Sequence, residues 1–111
     1  MFVKNVFMYG VTASIYFCEE GEGLKWHQHF APHGHCVIKG RTKLEIRGNP
    51  EVEMTIANRN VELPEKIDHQ ITALESGTIF INMMEGGSAP IDPNLPPPKQ
   101  GGVLLFDGTV V

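Results

Sequence analysis

Gly21-Glu22-Gly23-Leu24-Lys25-Trp26-His27-Gln28-His29-Phe30-Ala31-Pro32-His33-Gly34-His35 holds four of the five histidines of this 111-residue chain, all within nine residues. His27 and His29 stand at i and i+2, and His33 and His35 repeat that spacing. On an extended strand, residues two apart point to the same face. Read as two adjacent strands, the two pairs offer their imidazoles to one concave surface. Neutral imidazole is the commonest metal-binding side chain and suits Zn, Fe, Cu, Ni and Mn to differing degrees. A lone histidine reads as an ordinary hydrogen-bonded residue, but four so close together call for a common cause.

The flanking sequence reads as strands. Thr42 to Arg47 alternates polar and apolar residues and stops at Gly48-Asn49-Pro50; Glu51 to Ile56 alternates again and ends in Asn58-Arg59-Asn60. The pair predicts a hairpin with one buried face. Phe2 to Phe7, Val11 to Glu19, His33 to Lys39, Gly77 to Met83 and Val103 to Phe106 are further strand candidates, rich in β-branched and aromatic residues. Turn residues recur every eight to twelve positions, and no segment of ten or more holds a helical apolar period. The expected class is all-β, a sandwich or barrel with almost no helix. Trp26, Phe30, Tyr16, Met54, Met83 and Met84 are expected in the core, while Phe17, Ile15 and Ile81 are candidate pocket walls. Residues 86–102 contain five prolines and cannot form a central strand. They read as an extended arm that either trails loosely or carries the apolar segment 103–111 back onto the sheet or onto a neighbouring subunit.

Length allows one domain, 1–111. With 9 Lys+Arg and a net charge of −4, the chain is a poor partner for nucleic acid or an anionic membrane surface. Its apolar runs are far shorter than the roughly 20 residues that span a bilayer. Met1 to Asn5 lacks the pattern of a secretory signal, so a cytoplasmic location is expected. Cys18 and Cys36 both fall in strand-like segments and read as buried thiols rather than a disulfide framework.

The histidine segment resembles the first motif of the cupin family, G-x5-H-x-H-x3-E-x6-G, through Gly21, His27, His29, His33 and Gly40 at matching spacings. His33 stands where the family usually has glutamate. A second family motif, G-x5-P-x-G-x2-H-x3-N, is matched by Pro64 and His69; Asn58 and Lys66 replace its glycines and Ala73 its asparagine. The resemblance covers about residues 10–85. It implies a jelly-roll barrel, the double-stranded β-helix, holding one divalent metal ion (Fe, Mn, Ni, Cu or Zn) on His27, His29, His33 and His69. Four neutral imidazoles would leave the ion its full +2 charge, making it a stronger Lewis acid that favours anionic substrates. His35 should share the face of His33; a fifth ligand, a general acid/base or a wall residue are its three possible roles. The resemblance further implies a small-molecule ligand or substrate and a homodimer, paired through a sheet edge or by exchange of terminal strands. A metal-dependent enzyme is the leading expectation, a dioxygenase-like oxidoreductase first and an isomerase or lyase next. A non-catalytic binding or sensing role, and a purely structural metal, are the other readings.

Overall fold

The computed structural model describes residues 1–58 and 60–85. They form nine strands: β1 (Phe2–Met8), β2 (Val11–Cys18), β3 (Gly23–His27), β4 (His33–Lys39), β5 (Arg41–Ile46), β6 (Val52–Thr55), β7 (Val61–Leu63), β8 (His69–Ala73) and β9 (Thr78–Glu85). No helix occurs among the described residues. The predicted hairpin is β5–β6, with Lys43 opposite Glu53 and Leu44 opposite Val52. Two short strands, β7 and β8, were not predicted. The arm 86–102 and the candidate strand 103–106 lie outside the described residues.

The strands build two antiparallel sheets, β1-β2-β9-β4-β7 and β3-β8-β5-β6, whose inner faces enclose the core. Alternation decides what goes inside. On β2, Thr12, Ser14, Tyr16 and Cys18 are buried while their neighbours are not; on β9 the same holds for Thr78, Phe80, Asn82 and Met84. Tyr16 stacks on Phe80 with ring centroids 4.7 Å apart. Leu44, Met54, Leu63, Ile71 and Val37 complete the apolar part of the interior.

Three core expectations are corrected. Met83 points outward from β9 and is 47 % exposed, whereas Met54 and Met84 are buried as expected. Phe30 lies in an exposed turn. Trp26 is half-buried, with the Arg47 guanidinium 4.5 Å above its ring. Cys36 is also only half-buried, on the outer side of β4; both thiols are free.

The motif position held by Lys66 has a physical cost. Lys66 adopts a left-handed φ of 58°, the conformation that glycine takes without penalty, while Asn58, at the other replaced glycine, does not. The Lys66 amide donates to the His29 carbonyl at 2.8 Å, which ties the turn to the histidine segment. Gly40 is the opposite case: its φ is +78°, and a Cβ there would overlap the Thr78 side chain. A left-handed side chain costs about 1 kcal/mol, of which glycine's greater freedom when unfolded offsets about half. Lys66→Gly should therefore raise stability by about 0.5 kcal/mol, and Gly40→Ala should lower it by more than about 1 kcal/mol. Shifts of the urea midpoint in opposite directions, at unchanged m, are the expected result.

Candidate metal centre

A bulge places the first histidine. On β3, Leu24 faces Ile71 and His27 faces His69, so three steps on β3 match two on β8. Leu24 packs against the core. Strict alternation would then send Trp26 inward and His27 outward; the extra residue reverses this. His27 is 4 % exposed and His29, two residues on, 1 %. His69 enters from β8 directly opposite His27, and His33 and His35 enter from β4. β3 and β4 belong to different sheets. The expectation of adjacent strands sharing one face is therefore overturned: the two histidine pairs converge from opposite walls of the barrel.

His27, His29 and His69 each offer one ring nitrogen, all within 4.8 Å of one another, and could hold a metal ion. Their orientation is set by backbone. The His27 Nδ1–H donates to the Lys25 carbonyl at 2.6 Å, and the His69 Nδ1–H donates to the Ile67 carbonyl at 2.8 Å. Each neutral ring must then carry its lone pair on Nε2. The Nε2 of His27 is buried without a hydrogen-bond partner. That uncompensated lone pair, facing other imidazoles, is what a cation would satisfy, and the donor set suits a borderline divalent ion.

His33 adjoins the three: its Nε2 lies 3.1 Å from Nε2 of His69, and its ring centroid is 4.0 Å from that of His29. His35 points inward as expected but sits one layer deeper. Its Nδ1 lies 3.2 Å from Asn82 Oδ1 and its Nε2 3.2 Å from the Thr42 hydroxyl. The amide oxygen can only accept, so Nδ1–H donates to Asn82 and Nε2 accepts from Thr42. Both ring nitrogens are thereby occupied. Asn82 and Thr42 are the site residues that sequence reasoning missed; their strand alternation marks them as inward, but nothing local marks them as partners of a histidine. Asp68, next to His69, is held by Gln28 at 2.5 Å and Arg47 at 2.8 Å and braces the β8 start. A groove of about 730 Å³, lined by Pro32, Gly34, Val61, Met83 and Glu85 among others, has His33 in its wall.

Burial disfavours the charged rings. Burial, then repulsion from His69, pushes His27 down to about 4, and the same causes push His33 down to about 3. Burial also lowers His35 to about 4, against the opposing Asn82 bond, and lowers His69. In the unfolded chain these rings titrate near 6.5. Below that pH the unfolded state binds more protons than the native one, so native stability falls with falling pH. The metal-free protein should hold its full stability above about pH 6.5 and lose it progressively toward pH 4. More than one proton should be taken up on unfolding between pH 6.5 and 5, a window above the carboxylate range. Thermal melts across that window, on protein stripped with chelator, measure the slope.

No family model and no curated protein matches the chain. Solved structures do. A cupin 2 domain-containing protein from Halorhodospira halophila superposes at TM-score 0.69 and 15 % identity, over 83 % of this chain and 68 % of its own. A cupin-like protein from Thermotoga maritima gives TM-score 0.68 and 19 % identity, over 80 % and 74 %. A structure of the DMSP lyases RdDddP and RnDddQII gives 0.61 and 18 % over 71 % of this chain, which spans 40 % of the matched chain. At these identities the likeness is one of fold. The chain has the cupin fold, a small double-stranded β-helix, with a buried histidine cluster able to hold a metal.

Proposed function

We propose that this cupin-fold protein binds one divalent metal ion through His27, His29, His33 and His69 and acts as a metal-dependent enzyme on a small molecule, a dioxygenase-like oxidoreductase. The observation that carries the metal is the buried, unpartnered Nε2 of His27 among nitrogens of His29 and His69 within 4.8 Å. When bound, the ion supplies Lewis acidity and, if it is Fe, Mn or Cu, reactivity toward O₂. The chain's own part is to fix the donors. The carbonyls of Lys25 and Ile67 hold the His27 and His69 rings with Nε2 turned to the cluster. His33 completes the set once its Nε2 carries the lone pair. The four donors are uncharged, which favours an anionic or enolisable ligand.

His35 is neutral at pH 7 and held between Asn82 and Thr42. From there it could relay a proton through the Thr42 hydroxyl, or orient a bound molecule with its neighbours. A lyase or isomerase would use the same donors and the same relay; the DMSP lyases among the fold neighbours keep that second reading open. A homodimer belongs to this proposal, supported by β1 standing at a sheet edge among the described residues.

Protein purified without a His tag or added metal should contain close to one equivalent of metal by elemental analysis. The His27→Ala/His69→Ala variant should contain almost none. Fe, Mn, Cu or Ni supports redox chemistry; Zn supports the lyase or isomerase reading. Absence of metal after reconstitution overturns the site. His33→Glu should keep the metal but bind azide at least about 10-fold more weakly, because the added carboxylate lowers the net charge of the centre. Titration of the Co(II)-substituted protein, followed by its absorption spectrum, reads that change.

A further inference from the structure

The strand that carries His27 is held on one side only. β3 lies at the edge of its sheet, so among the described residues β8 alone pairs with it. At the bulge two of its residues, Lys25 and Trp26, stand against the single residue Gln70, and a bulge locally disrupts the ladder. His27 is also the last residue of β3. Its pairing with His69 is therefore the end of a broken ladder, yet the site needs a His27 ring nitrogen held within 4.8 Å of those of His29 and His69.

A second row of contacts lies directly outside. Ile46, His69 and His27 stand in register across β5, β8 and β3. One step along each strand come Arg47, Asp68 and Gln28, whose side chains take the opposite face of the sheet. Asp68 joins them: Oδ1 accepts from Gln28 Nε2 at 2.5 Å, and Oδ2 accepts from Arg47 Nε at 2.8 Å. Between β5 and β8 the backbone is already tied at this step, the Arg47 amide donating to the Asp68 carbonyl at 3.0 Å. Toward β3 the tie is the Gln28 side chain. Trp26, on the other side of His27, lies under the Arg47 guanidinium, 4.5 Å from its ring centroid. His27 is thus gripped on both sides by residues that lead to Asp68. Exposed ion pairs contribute little to overall stability, and the Arg47 side chain is 63 % exposed, so the effect of this network is local. We infer that Asp68, with Gln28, Arg47 and Trp26, is a positioning clamp for the metal centre, fixing from the outer face of the sheet how His27 stands against His69. The inference rests on the metal site proposed above and adds to it residues that lie outside the barrel.

Charge and position predict opposite signs at Arg47. Removing a cation near the centre favours a bound metal ion electrostatically, whereas loosening the clamp disfavours it. Zn(II) affinity, read on the full chain by competition with a chromophoric chelator, should fall about 10-fold in both Gln28→Met and Arg47→Met, the low end of what residues supporting a metal site contribute. The visible absorption of the Co(II) proteins should change in band position or intensity, which reports ligand geometry and which a loss of stability alone would leave unmoved. Both variants should keep the circular dichroism of wild type, and Arg47→Met carries the test if Gln28→Met fails to fold. Wild-type Zn(II) affinity and Co(II) spectrum in the variants overturn the clamp and leave the metal site standing. Tighter Zn(II) binding by Arg47→Met with an unchanged Co(II) spectrum assigns the network to charge and likewise overturns the clamp. A wild-type protein that binds neither ion overturns site and clamp together.

Discussion

The pairing of His27 with His69 across β3 and β8 is the constraint on which the interior depends. It requires the bulge between Leu24 and His27, because without the extra residue the whole of the segment from Trp26 to His29 would turn inside out. With it, one strand can keep Leu24 in the apolar core and still deliver two imidazoles to the end of the barrel. The bulge also leaves Trp26 near the surface, where Arg47 covers its ring and Asp68 holds Arg47 in turn. The outer brace and the inner pair are thus set by one backbone irregularity.

Placing five imidazoles at 4 % exposure or less works against stability. Each gives up water, and that loss keeps His27, His33, His35 and His69 neutral. The chain compensates unevenly. His35 is satisfied at both nitrogens by Asn82 and Thr42, so it needs nothing further. His27 is satisfied only at Nδ1, by the carbonyl of Lys25, and His69 holds the Ile67 carbonyl in the same way while its Nε2 meets only another imidazole, His33. The same local arrangement on two strands leaves two lone pairs aimed at one place. A structural histidine would be expected to look like His35; the unevenness is what separates a binding site from a polar core.

The fold class was legible because a period of 2 marks the hairpin segments and turn residues recur between the other strand-like ones. β5 and β6 alternate clearly enough to be read, β2 and β9 stand out by their β-branched and aromatic residues, and the resemblance carried by the two histidine motifs implied the barrel. β7 and β8 were illegible for a simple reason: with three and five residues they are too short to establish a period. The convergence of the histidines from opposite walls was illegible for another. Spacing of i and i+2 reports a shared face but not which sheet the strand joins, and β3 and β4, consecutive in the chain, join different ones. Trp26 and Phe30 were misread because apolar character was taken for burial, when the bulge and the following turn carry both away from the core.

Met83 was misread in a more instructive way. Its segment looks apolar on both faces, Thr78-Ile79-Phe80-Ile81-Asn82-Met83-Met84, which in a lone antiparallel sheet has no explanation. In the structure the even positions face inward, with Asn82 against His35 and Met84 registered with His33, and the odd ones face outward. β9 therefore lies between two demands, a polar interior on one side and an apolar exterior on the other. Its backbone hydrogen bonds join β2 and β4, so it cannot shift toward either without disturbing both.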